Sequence, residues 1–170
     1  LYNSSIIHRA VPDFVIQAGG FAVNDGVVSP IESLGPLENE PGNSNVRGTV
    51  AMAKIGGDPD SATSQWFINL NDNSANLDQQ NGGFTVFGEV LGSGLEVADV
   101  IGQGEIIPAT DINPVFTDLP IWRDELYQPY FYLISNAREI ERDSQLMFFD
   151  LDSDDPESIN ALINDCLLYT

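Results

Sequence analysis

The 170-residue chain carries 26 Asp and Glu against six Lys and Arg, a formal charge of −20. Nucleic acids and anionic membrane surfaces demand a basic footprint, so both are excluded as expected partners. At 42% the hydrophobic content suffices for one core, no apolar run nears the roughly 18 residues of a membrane span, and the single cysteine, Cys166, excludes an internal disulfide framework and a thiolate metal cluster.

Residues 6–21 predict two short strands around a tight turn. Ile6 to Arg9 leads into Val11-Pro12-Asp13, and Phe14-Val15-Ile16-Gln17 leads out to Gly19-Gly20. Residues 22–46, rich in Gly, Pro, Asn, Ser and Glu, predict a long surface loop. A strand follows from Gly48 to Ala53 and is broken at Gly56-Gly57-Asp58-Pro59-Asp60. Residues 65–70 alternate, with Gln65 and Phe67 on one face and Trp66 and Ile68 on the other. Phe84 to Val90 reads as another strand, and Leu95 to Ile101 has helical spacing. A last β-rich segment begins at Tyr130 and runs towards Ile140. Many short strands with one or two helices predict a mainly β protein, a closed or nearly closed barrel.

The inventory of reactive groups is short. His8 is the one histidine, which excludes a two-histidine metal site, and its alternation with Arg9 sends it to the opposite face as a structural residue. No G-x-S-x-G elbow and no phosphate-binding G-x-x-x-x-G-K-[ST] occurs, and Gly102-Gln103-Gly104 lacks a third glycine. Asp150, Asp152 and Asp154 have the alternate spacing of a calcium loop. However, Asp155 stands where that loop needs glycine, and Ala161 where it needs a bidentate glutamate. The expectation is a solvated acidic tail, no metal and no cofactor. Taken singly, Arg9 reads as a surface arginine, Phe14 and Phe67 as core residues and Gln65 as a solvated strand residue.

Three blocks in register change that reading: IIHRAVPDFVIQAGGF at 6–21, RGTVAMAK with SATSQWFINL at 47–54 and 61–70, and FTVFGEVLGSGLEVADVI at 84–101. Over residues 2–140 the chain resembles the cyclophilins, especially the bacterial form with extra residues between Ala53 and Ser61. The resemblance implies a β-barrel with a groove on its outer wall that isomerises X–Pro bonds and assists protein folding. It implies Arg9, Phe14 and Gln17 as catalytic residues and Met52, Ala53, Lys54, Gln65, Phe67, Leu77 and Phe84 as substrate contacts. The implied partners are proline-containing peptides and folding proteins. A cyclophilin-like domain that binds a proline segment without turnover is the alternative, and the retained Arg9 favours the enzyme.

Departures from the family pattern carry their own expectations. Asn76 stands where a tryptophan often precedes the Leu-Asp pair, which implies weak cyclosporin binding. Phe84 replaces a histidine, Val15 a methionine, and Gln17-Ala18-Gly19-Gly20 a glutamine followed at once by glycine. By the resemblance, the family's first two strands and first helix are not in this chain, so it reads as truncated before Leu1. The expected division is an isomerase domain over 1–142 and an acidic tail or further segment over 143–170, with a helical-looking Ile159–Ile163. A monomer in a periplasmic or secreted setting completes the expectation.

Overall fold

The computed structural model describes residues 2–126, 128–140, 146–152 and 167–169. In chain order the elements are β1 (Ser5–Ile6), β2 (Arg9–Val11), β3 (Val15–Ala18), β4 (Phe21–Asn24), β5 (Val27–Pro30), β6 (Thr49–Met52), β7 (Trp66–Asn69) and helix α1 (Ser74–Leu77). A 3-10 turn (Gln80–Gly82) leads to β8 (Val86–Glu89), helix α2 (Gly94–Gln103), β9 (Glu105–Ile107), β10 (Leu119–Arg123), β11 (Pro129–Phe131), β12 (Leu133–Ile140), β13 (Leu146–Asp152) and β14 (Leu167–Tyr169). The molecule is therefore mainly β with two α-helices, as the strand pattern implies.

The strands form three antiparallel sheets, ordered β2-β3-β7-β6-β8, β11-β10-β9 and β14-β13-β12-β1-β4-β5. The β2–β3 hairpin follows the expected turn: the Phe14 amide donates to the Val11 carbonyl at 3.1 Å, with Asp13 in the left-handed region at φ 58°. Residues 22–46 depart from the expected loop, because β4 and β5 form a hairpin within them. Its turn is Asp25-Gly26 with φ of 50° and 76°, the two positive values that match the twist of a two-residue hairpin. The surrounding Gly and Asn content hid this Asp-Gly signal. Strands β9 and β10 also lie in a stretch where the sequence shows no periodicity.

Helix α2 buries Val97, Ala98 and Ile101 on one face against Ile16, Val50 and Leu70 of the main core. Gly102 permits that approach, since a Cβ there would stand 2.3 Å from Leu70 Cδ1. A second cluster holds Ile6, Phe21, Phe116, Leu119 and Ile121. A third holds Val15, Ala51, Phe67 and Leu77 on the other side of the five-stranded sheet. The 142/143 boundary, Cys166, the helical-looking 159–163 and Asp154, Asp155 and Glu157 lie outside the described residues, while β13 pairs with β12 along its length.

Candidate active site

The hairpin register places Arg9 directly opposite Gln17, and β3 in turn places Gln17 opposite Phe67 of β7. Three polar side chains consequently line up across three strands. Arg9 Nη1 donates to Gln17 Oε1 at 3.5 Å, and Gln17 Nε2 donates to Gln65 Oε1 at 2.7 Å. The Gln65 carbonyl accepts from the Ala53 amide at 2.9 Å, which ties the row to the end of β6. All three side chains are half-buried, so the row is accessible yet ordered.

Beside that row lies an apolar wall. Phe67 faces Ala51 across β6 as well as Gln17 across β3, and its cluster with Val15 and Leu77 is extended by Phe14, Ala53, Phe84 and Val86. The Phe67 and Phe84 rings meet edge-on, centroids 5.7 Å apart at 75°. Phe84 is pinned through its amide, which donates to the Leu77 carbonyl at 3.1 Å.

A buried asparagine network holds the backbone under these aromatics. Asn73 Nδ2 donates to the Phe14 carbonyl at 2.9 Å and to Asn69 Oδ1 at 2.7 Å. Asn45 Nδ2 donates to Asp78 Oδ1 at 3.0 Å and to the Phe84 carbonyl at 3.2 Å. Hydrogen bonds from the Asn45 amide and side chain hold the Asp78 carboxyl below its usual range. The sequence shows these residues only as loop-forming polar letters; their convergence is a tertiary fact.

Two expected contacts do not join the Phe67 cluster. Met52 packs against the main core with Trp66 rather than joining the Phe67 cluster. The period of two explains this: along β6, Ala51 and Ala53 share the site face, so Met52 between them faces away. Lys54 is turned onto the neighbouring loop. Its ammonium donates to Asn39 Oδ1 and the Asn81 carbonyl, both at 3.0 Å, and to the Gly83 carbonyl, and lies 4.7 Å over the Phe84 ring. Burial pushes its pKa down, with Asp60 partly offsetting this. Asn76 is exposed on α1, one residue before the buried Leu77.

His8 sits behind the row, 3% exposed, with its ring 5.2 Å from Phe21 and 6.4 Å from Phe116. Burial lowers its pKa to about 4, against a hydrogen bond with Gln65 that acts in the opposite direction. Sequence reading missed Asp118, whose carboxylate lies 3.8 Å from Arg9 Nε. Nothing in the unpatterned stretch before β10 marks it out from the chain's other acids.

The arrangement is a fixed guanidinium and two amides beside an aromatic wall, with no nucleophile among them. It suits a reaction in which an uncharged, partly apolar group is turned rather than cleaved. Comparison with known proteins agrees. The family model described as cyclophilin type peptidyl-prolyl cis-trans isomerase/CLD matches residues 1–118. A peptidyl-prolyl cis-trans isomerase of Acinetobacter baylyi is 45% identical over 105 residues, covering 60% of this chain and 53% of that protein. Peptidyl-prolyl cis-trans isomerase A of Dickeya dadantii is 45% identical over 108 residues, with the same coverage of 60% and 53%. Peptidyl-prolyl cis-trans isomerase B of Escherichia coli is 37% identical over 125 residues, covering 65% of this chain and 73% of that protein. The chain thus spans about half the length of the first two of these relatives.

Proposed function

Because the chain belongs to the cyclophilin-type peptidyl-prolyl cis-trans isomerase family, we propose that it catalyses rotation about X–Pro bonds in peptides and folding proteins. The carrying observation is the hydrogen-bonded row Arg9–Gln17–Gln65 beside the Phe14, Phe67, Leu77 and Phe84 wall.

The barrier to be lowered, about 18–20 kcal/mol, comes from amide resonance. No bond breaks, so the catalyst must bind the twisted amide better than either planar form. Twisting localises a lone pair on the proline nitrogen. The Arg9 guanidinium donates to that region and holds the adjoining carbonyl, each charge-assisted bond being worth roughly 1.5–3 kcal/mol. Its planar fork supplies two parallel donors, which a lysine could not. The pyrrolidine ring rests on Phe67 and Phe84 as the fixed end, while Gln17 and Gln65 hold the peptide backbone on the moving side. Asn76 on the exposed side of α1 offers no large aromatic surface, which supports weak cyclosporin binding. The charge of −20 supports partners other than nucleic acid or anionic membrane.

The test is X–Pro exchange in a short peptide, measured by magnetisation transfer. The protein is expected to accelerate exchange. Arg9→Ala is expected to lose about 10- to 100-fold, the equivalent of one such hydrogen bond, while melting within a few degrees of the parent. A folded parent with no effect on several peptides would replace isomerisation by binding of proline segments alone.

A further inference from the structure

We infer that Asp118, steadied by Thr117, is a positioning residue that fixes the orientation of the Arg9 guanidinium; this rests on the isomerase reading of the site. Arg9 is held on two sides. Gln17 Oε1 takes Nη1 at 3.5 Å, and Asp118 Oδ2 lies 3.8 Å from Nε. With those two nitrogens turned towards Gln17 and Asp118, Nη2 and the other hydrogen of Nη1 are left to the substrate. A guanidinium held by Gln17 alone would pivot about that single long contact.

Asp118 is itself delivered with care. Its Oδ2 accepts from Thr117 Oγ1 at 2.8 Å, and its backbone carbonyl accepts from the Ala10 amide at 2.8 Å. The Ala10 bond secures the outer edge of β2, so the acid is fixed to the residue next to Arg9. Two positions earlier Phe116 is fully buried, its ring 4.9 Å from Phe21 and 6.4 Å from His8. His8 in turn shares its place against Gly20 with Gln65, the far end of the polar row, their nearest atoms standing 3.1 and 2.9 Å from where a Gly20 Cβ would be. The segment leading into β10 therefore supports the row twice, through Phe116 behind it and through Asp118 at its open end.

The pair is partly solvated, Arg9 at 35% and Asp118 at 44% exposure. Its static contribution to stability is accordingly small, and its effect belongs to the geometry of the guanidinium. The backbone bond to Ala10 and the Phe116 anchor do not involve the carboxylate, so Asp118→Ala leaves the fold intact.

The experiment is a double-mutant cycle on kcat and KM for X–Pro exchange, using the parent, Asp118→Ala, Arg9→Ala and the double variant, with Asp118→Glu as the conservative control. Asp118→Ala is expected to lower kcat about fivefold with KM within twofold, Asp118→Glu to recover most of it, and Asp118→Ala to have no further effect once Arg9 is alanine. A rate within twofold of the parent for Asp118→Ala, or an equal loss in both Arg9 backgrounds, overturns the positioning role. An Arg9→Ala variant as fast as the parent likewise overturns it, since Asp118 would then position a group the reaction does not use, whereas a folded but inactive parent instead overturns the isomerase reading beneath it.

Discussion

His8 shows how one side chain is shaped by its surroundings. Alternation within the first hairpin sends it away from Arg9, and the tertiary fold then closes Phe21 and Phe116 around it. Desolvation lowers its pKa from 6.5 to about 4, so the folded protein holds it neutral where the unfolded chain already binds a proton. Stability is therefore retained above about pH 6.5 and falls as pH drops through the interval down to about 4, a loss on the order of 3 kcal/mol. Urea unfolding at pH 7 and pH 4.5 checks this, with His8→Gln showing a distinctly smaller drop than the parent. Equal drops in both proteins would assign the acid sensitivity to the carboxylates. Lys54 makes the converse point. Its type suits a substrate contact, yet three oxygens and an aromatic face hold it against the loop at Gly83.

The elements around the site are short strands that could not hold a precise surface alone. Strand β3 spans four residues, β2 three, and the loops that carry Phe14 and Phe84 have no ladder of their own. The asparagine network replaces that ladder by tying both backbones to Asn69, Asn73 and Asp78. Asn45, fully buried, is its junction. Removing its side chain leaves the Phe84 carbonyl without this donor and strips one of two donors from Asp78, the other being the Asn45 backbone amide. We expect Asn45→Ala to cost about 2–3 kcal/mol in chemical denaturation, because buried partners are left unpaired. A cost below about 0.5 kcal/mol would mean that the network is dispensable. Backbone approach sets a similar limit at Gly19, where φ is +79° and a Cβ would meet the Ser64 carbonyl at 2.3 Å. The Ala18-Gly19 step after Gln17 thus serves the close contact between the end of β3 and the start of β7.

At the scale of the molecule, charge dominates. Six cations face 26 acids, and three of the six are committed to ion pairs among the described residues. Arg47 grips Asp99 with both nitrogens at 3.0 and 2.6 Å, and Arg123 grips Glu105 at 2.7 and 2.8 Å. These clamps join α2 and β10 to their neighbours, and with so many acids left over we expect self-repulsion to outweigh them. Raising sodium chloride from 0.05 to 1 M screens that repulsion, since the Debye length shrinks from more than 10 Å to about 3 Å. The melting temperature should rise by several degrees, read by calorimetry. A fall would show that the ion pairs, rather than the repulsion, govern stability.

Legibility differed from element to element. The β2–β3 turn, the alternation of Gln65 and Phe67, and the apolar face of α2 were readable because their signals are local, a Pro-Asp turn and periods of two and 3.6. The same alternation could have assigned Met52 to the core. The β4–β5 hairpin was obscured by composition although its Asp-Gly turn was present. By itself the sequence determined the mainly β character, the family and the residue types of the polar row. Only the tertiary structure decided that Lys54 faces a loop, that Asn45 meets Asn69, Asn73 and Asp78 beneath the aromatics, and that Asp118 stands beside Arg9. Asn45 and Asn69 stand 24 positions apart in the chain, and Arg9 and Asp118 stand 109 apart. Contacts at such separations follow from strand register and chain closure, which leave no periodic trace in the residues that make them.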